Sequence, residues 1–435
     1  MTGRISHLVG NVLSEELPTI SHAAGVFVFD STGKRYLDGC SGAVTVNVGH
    51  GNPRMLEALT AQASRVTFAH RGAFTNQPAE DLAATLSELT GYPHVLLAGS
   101  GSEAVEAAMR FVLQYWREQG QFQRSSFSSH LVGYHGATIG GLSLSGNPVR
   151  RDVASSLLFD FNILPAPYHY RFGNGLSESE FASHLIEQAG LAFETKADRH
   201  AAVVIEPVGG AAGGAVTPPD GYLSGLSSLC RANGVPLVAD EVMCGLGRTG
   251  RLLAAEHWDV RADVVVLGKG LGAGYSPISA VLLTEEMMAP LAAGSGVITN
   301  GHTYSGNPLS AAAALTSLEI LVEDDLVAGA RIRGAQLREG LEKLAVTHPV
   351  IGEVRGLGLL QGIELVTDRS QRTPGNPIGS LTSKLVRSAK EVGLLLYPAN
   401  GGFNDAVLIA PPLTVSEAEI TLLLELLDEA LRAFD

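Results

Sequence analysis

Cysteine is scarce: Cys40, Cys230 and Cys244 are the only three in 435 residues. Three thiols cannot all pair, and none lies in a C-x-x-C or Cys/His cluster, so neither a disulfide framework nor a metal site is indicated. They read as buried thiols of a reducing compartment. Tryptophan occurs twice, and charged residues make up only 17% against 45% hydrophobic residues. That balance excludes a disordered chain and demands a large core. Long hydrophobic runs are also missing. No apolar stretch approaches the roughly 20 residues that span a bilayer, and the N-terminal MTGRISHLVGNVLSEELP lacks the apolar centre of a signal peptide. Positive charge is short as well. A net charge of −14 without any block of Lys or Arg argues against nucleic acid or an anionic membrane as partner. A soluble, cytoplasmic protein is expected.

What the chain has in excess is glycine: 51 residues, about 12% where roughly 7% is usual. Many of them fall in segments 99–101, 209–214, 245–250, 268–274 and 301–306. Length suggests two to three domains. GVFVFDSTGKRYLDG (25–39) reads as a hairpin, and helices are expected from Arg54 to Val66 and from Pro78 to Leu89. Then come short, β-branched apolar runs: HVLLAG (94–99), SHLVGY (129–134), AAVVIEP (201–207), PLVADE (236–241), ADVVVLG (262–268) and SAVLLT (279–284). Such runs, separated by helices such as Ser102 to Arg117, are what a mostly parallel sheet covered on both faces requires. The fold class is therefore α/β. Asn307-Pro308 opens a further helix. The more charged tail reads as a helix over Arg331 to Leu344, a strand over 354–365, a helix over 380–393, a strand at 406–411 and a last helix capped at Ser416. Segment 367–378 is expected to be an exposed loop.

Three constellations carry chemistry. In LLAGSGSEAVEAA (96–108) a strand meets a helix through a Gly/Ser turn, and the free N–H groups there, with the hydroxyls of Ser100 and Ser102, form a phosphate cradle. Alone, that pattern is equally an ordinary capped turn. In PLVADEVMCGLGRTG (236–250) adjacent carboxylates, Asp240 and Glu241, close a buried strand, so at least one should meet a cation or a protonated ring nitrogen. Gly245, Gly247 and Gly250 also satisfy G-x-G-x-x-G. A dinucleotide fingerprint should run into a long helix and reach an acid at the next strand end, whereas here the helix is short and the next strand leads to Lys269. In ADVVVLGKGLGAGY (262–275), Lys269 sits among Gly268, Gly270, Gly272 and Gly274, which admit a flat ligand. A dry lysine has a lowered pKa and can hold an aldehyde as a Schiff base.

Phosphate cradle, strand-end acid and lysine together are the needs of pyridoxal 5′-phosphate. Strand ends are also where open α/β sheets bind ligands. Tyr134 of GYHGAT offers an aromatic platform.

With these motifs, and with YLDG (36–39), IEPVGG, GHTYSGNPLSAAAA and the APPLTVSEAEI tail, the chain resembles the class III aminotransferases of the fold type I group over essentially its whole length. The resemblance implies a large cofactor-binding α/β domain over 61–329. It also implies a small α+β domain assembled from residues 1–60 and 330–435. It implies that Lys269 binds the cofactor and shuttles a proton, that Asp240 pairs with the pyridine N–H, and that Val242 and Tyr134 cover the two ring faces. Ser100, Gly101 and Ser102 would serve the phosphate, His135 would join the cofactor residues, and Glu206 would lie on the 3-hydroxyl side. Thr303 would complete the phosphate site from the neighbouring subunit of a homodimer. The implied substrates are an amine or ω-amino acid donor and a 2-oxo acid acceptor.

Departures from the family concern substrate. Met243 stands where many relatives have Gln. GGFNDAVLIAPPL holds no Arg before its prolines, with Leu408 at about the place of a carboxylate-clamping Arg. Val44 replaces an aromatic of amine:pyruvate members. Arg71 and Arg355 remain as cations, each expected in an ion pair. Another reaction on the same cofactor (decarboxylation, epimerisation or C–C bond formation) is the first alternative, and a nicotinamide dehydrogenase the second. A non-catalytic regulator is disfavoured because no helix-turn-helix or basic segment is appended.

Overall fold

A computed structural model describes residues 7–9, 17–195 and 198–434. The N-terminal stretch read for a leader falls largely outside these residues. The chain enters a meander of β1 (Ile20–Ala24), β2 (Phe27–Asp30) and β3 (Arg35–Asp38), in which the expected hairpin is β2–β3. Asp30 ties its D-S-T-G-K turn by accepting from the Thr32 N–H (2.9 Å) and the Lys34 N–H (3.0 Å).

Seven strands make the central sheet: β4 (His94–Ala98), β5 (Ser126–His130), β6 (Asn162–Leu164), β7 (His200–Ile205), β8 (Leu237–Asp240), β9 (Val264–Leu267) and β10 (Ser279–Leu283). Their order is β4-β10-β9-β8-β7-β5-β6. β10 alone runs antiparallel to its neighbours, so β4, β5, β7, β8 and β9 all end at the same edge. Every residue of β7 through β10 is buried, because helices cover both faces. The helix Gly101–Glu118 lays Val105, Ala108, Phe111, Val112 and Trp116 against Val264, Val266 and Val281. Each large side chain so buried stabilises the fold by about 2 kcal/mol. The Trp116 indole, whose N–H would otherwise be stranded, donates to the Ala201 carbonyl at 2.8 Å.

The third sheet uses β11 (Ile351–Leu357), β12 (Leu360–Leu365), β14 (Tyr397–Pro398) and β15 (Asp405–Ile409), in the order β11-β12-β15-β14. Between them, β13 (Leu394–Leu395) leaves to pair in parallel with β3. The Ala410 N–H likewise donates to the Gly39 carbonyl at 2.7 Å. Both ends of the chain thus meet in shared hydrogen bonding. The helices Leu326–Thr347, Ser380–Val392 and Glu417–Leu431 belong to this half, and the last has the full Ser416/Glu419 capping box.

Two expectations need correction. The single strand expected over 354–365 is the hairpin β11–β12, turned at Gly358, whose φ of +54 suits a glycine. The run SHLVGY is not a strand as a whole. β5 ends at His130, and its serines hid it from apolar patterning. Two of the three are buried with partners: Ser129 donates to the Leu144 carbonyl, and Ser128 shares a 3.4 Å contact with His200.

Candidate active site

The shared sheet edge gathers the three constellations. After β4, the helix Gly101–Glu118 starts with Ser100 as its cap, whose hydroxyl oxygen accepts from the Glu103 N–H at 3.2 Å. The amides of Gly101 and Ser102 are left unbonded within the helix at its positive end. The Ser102 oxygen accepts from the Ala137 N–H at 3.1 Å, which leaves its own proton to donate. Val242 presses on the backbone here: a Cβ at Gly101 would meet Val242 Cγ1 at 3.0 Å, and one at Gly268 at 3.2 Å. Those two glycines let β4 and β9 close around Val242.

At the end of β8, Asp240 and Glu241 diverge. Asp240 accepts from the Val242 N–H at 3.2 Å and lies 2.8 Å from His135 Nδ1, with both side chains buried. Burial acts against the His135 imidazolium, but the hydrogen bond and charge of Asp240, helped by Glu206, outweigh it and raise its pKa. Glu241 points away. It accepts from the Ala254 (2.5 Å) and Ala255 (2.9 Å) N–H groups at the start of a short helix, Ala254–Trp258, and burial pushes its pKa up to about 7. The glycines at 245, 247 and 250 therefore lead into five residues of tight helix rather than a dinucleotide-binding one.

After β9, Lys269 sits at φ +42, a left-handed position that costs a non-glycine residue energy and that active sites often hold. Burial lowers its amine to about 8, against the opposing charges of Glu206 and Asp240. Glu206, following β7, accepts from the Tyr134 N–H (2.9 Å) and the Gly210 N–H (3.0 Å), and burial raises its carboxyl. These groups converge on one cavity of about 190 Å³, lined by Ser100, Gly101, Ser102, Tyr134, His135, Glu206, Asp240, Val242, Met243 and Lys269.

Nine of the ten expected site residues thus line one cavity. Thr303 does not: it is exposed in the turn before Asn307. Of the two arginines expected in ion pairs, only Arg355 forms them among the described residues, and Arg71 meets a backbone carbonyl instead. Arg355 is buried on Glu353 and Glu364, at 2.7 Å each, and Arg71 donates to the Asn300 carbonyl at 2.7 Å. Val44 and Leu408 are buried beside Met243 rather than in the cavity wall. Sequence reading missed Arg150, whose guanidinium lies 4.4 Å from the Tyr134 ring centre. Only the capping Asn147-Pro148 pair shortly after GYHGAT signals the helical turn that carries it.

The pocket suits pyridoxal phosphate: free helix-start amides for phosphate, a fixed carboxylate for a ring N–H, and a lysine of lowered pKa for an aldehyde. The family model of the class-III aminotransferases matches residues 11–431. The chain is a class III aminotransferase. It is 44% identical over 437 residues to an uncharacterized aminotransferase, YodT, of Bacillus subtilis, covering 99% of this chain and 98% of that protein. It is 32% identical to a putrescine–pyruvate aminotransferase of Pseudomonas aeruginosa, over 94% and 89% of the two chains. Among solved structures, a thermostable (S)-enantioselective omega-transaminase from Thermomicrobium roseum superimposes with a TM-score of 0.93 at 35% identity, over 98% and 96% of the chains. This aminotransferase therefore has the fold type I architecture, uses pyridoxal 5′-phosphate and moves an amino group to a 2-oxo acid. The family match goes against the dehydrogenase alternative. Among the described residues no helix is long and apolar enough to cross a membrane.

Proposed function

We propose that this aminotransferase takes the amino group of an amine or ω-amino acid and passes it to a 2-oxo acid, with Lys269 and Asp240 as its catalytic pair. The carrying observation is that Lys269, Asp240 and the free Gly101 and Ser102 amides face one cavity. The cofactor supplies an electron sink when bound. Lys269, with its amine lowered to about 8, carries a proton at neutral pH between the substrate carbon and the cofactor. Asp240, fixed by His135 and the Val242 amide, keeps the ring nitrogen protonated. Gly101 and Ser102, with Ser100 beside them, would hold the phosphate, Tyr134 and Val242 would cover the ring faces, and Glu206 would lie on the 3-hydroxyl side.

The functional unit is a homodimer in which Thr303 completes the partner's phosphate site. An exposed apolar group beside Thr303 supports this: Phe68, Phe74 and Tyr304 are 43%, 70% and 65% exposed. Residues 61–329 form the cofactor-binding domain, and 1–60 with 330–435 the small domain, as the β3–β13 pairing favours. Three free, buried thiols suit a reducing, cytoplasmic setting. Mass spectrometry of products from a panel of amino donors, with pyruvate and 2-oxoglutarate as acceptors, tests the donor class. A panel in which only 2-amino acids react would contradict it.

A further inference from the structure

The cation beside the cleft comes from a turn that no catalytic motif includes. Pro148–Asp152 is one helical turn capped by Asn147, and its two arginines have separate fates. Arg151 donates to the carbonyls of Ser143 (2.7 Å) and Ser145 (2.9 Å), which closes the end of the helix Ile139–Leu144. Arg150 closes nothing. Among the described residues the arginine–carboxylate pairs belong to Arg54, Arg171, Arg333, Arg338, Arg355 and Arg432. The Arg150 guanidinium instead lies over Tyr134, itself a cavity wall, 4.4 Å from the ring centre, and Arg150 stays exposed.

A second aromatic lies close enough to feel its charge. Tyr397, half-buried in β14 opposite Leu408, has its hydroxyl pushed up by burial, and the Arg150 charge and hydrogen bonding oppose that push. The same charge reaches the Lys269 amine. The pocket acids do not need Arg150, since Asp240 and Glu206 each have two other hydrogen-bond partners. A substrate carboxylate entering between those acids would be repelled without a cation, and Lys269 is occupied with the chemistry. A guanidinium over an aromatic ring, with no acid partner among the described residues, presents a fork of N–H donors that matches a carboxylate.

We infer that Arg150, braced by Tyr134 and Tyr397, docks the distal carboxylate of the amino donor, so that this cleft selects ω-amino acids over plain amines. The inference rests on the aminotransferase reading with Lys269 as the reacting amine. It assigns the carboxylate clamp to the turn after GYHGAT instead of to the arginine-free strand that ends at Ile409.

The test uses holoenzyme and the donor half-reaction alone, with ω-amino acids of four to six carbons and alkylamines of equal length. Arg150→Gln is expected to lower kcat/KM for the ω-amino acids roughly 10- to 100-fold, the range for a lost hydrogen bond to a charged group, and to leave the alkylamines within about threefold. Arg150→Lys should recover part of the loss, because it restores charge without the fork. Calorimetry with pentanoate, which has no amine, should find weaker binding to Arg150→Gln than to the parent. Equal losses for both donor classes would make Arg150 a mere prop for Tyr134 and overturn the inference, as would pentanoate binding that ignores the substitution. If neither donor class reacts with the parent enzyme while pentanoate binding still depends on Arg150, the donor reading fails and the carboxylate site stands.

Discussion

His135 Nδ1 and Asp240 Oδ2 stand 2.8 Å apart in a buried contact that turns a strand-end carboxylate into a fixed one. The Val242 amide holds the other oxygen, so Asp240 has one orientation toward the cavity. Because the folded-state pKa of His135 is raised, the pair's stabilisation is full below the unfolded value near 6.5 and is lost as pH climbs through the folded value. Glu206 also favours the imidazolium, while the neighbouring His130, pushed down to about 3 by burial and by the His135 charge, stays neutral across this range. His135→Leu should therefore lower the Tm more at pH 5.5 than at pH 9. A Tm difference that is flat with pH would show that the imidazolium charge is irrelevant.

Adjacent carboxylates should separate cleanly on substitution. Asp240→Asn keeps the shape and loses the charge, and the donor half-reaction should slow by roughly 10²- to 10³-fold, with little change in Tm at pH 9, where the His135 charge no longer contributes. Glu241→Ala strands two buried N–H groups, at roughly 1–3 kcal/mol each, and should destabilise the fold by about 2 kcal/mol or more. Thermal melts and half-reaction rates on both variants check the split. Reversed phenotypes would exchange the two roles.

The Lys269 amine, lowered to about 8 by burial, is half neutral at that pH. Capture of pyridoxal phosphate by the apoenzyme should speed up about fivefold from pH 7 to 8 and level off above 9, since the neutral amine is the nucleophile. Stopped-flow absorbance reads this directly. A rate still rising at pH 10 would mean an ordinary, solvated lysine.

Thr303→Ala should weaken phosphate-dependent cofactor retention about 10-fold or more, the scale of one hydrogen bond to a charged group, without moving the Tm of the apoenzyme. Equilibrium dialysis of the cofactor checks it. Retention equal to the parent would remove Thr303 from the site and weaken the case for a shared dimeric pocket.

The parts of this protein that were legible in its sequence are those where one residue type has one use. The buried runs of β7 to β10 read as strands because Val, Leu and Ala there have no other environment, and Lys269 among glycines read as a ligand position. Less visible were features that rest on pairing between distant segments. Three of the five residues of β5 are serine, and their burial draws on partners such as the Leu144 carbonyl and His200. The 354–365 segment looked like one strand because its turn lies inside an apolar stretch, where only the backbone at Gly358 marks the reversal. The division of labour between Asp240 and Glu241 was equally hidden, since the partners that decide it are His135 and the amides of Ala254 and Ala255. Arg150 escaped notice for the same reason: its position over Tyr134 is set by a turn, not by a motif.

The central claim is that Lys269 and Asp240 carry amino transfer in this pocket, and rapid-scan absorbance through both half-reactions tests it most directly. On mixing holoenzyme with an amino donor, the visible band should be lost as the deaminated product appears, and pyruvate should restore the band with formation of alanine. Lys269→Ala should abolish the cycle while the protein stays folded. Retention of the amino nitrogen on the donor skeleton, or an undiminished cycle in Lys269→Ala, would contradict the account.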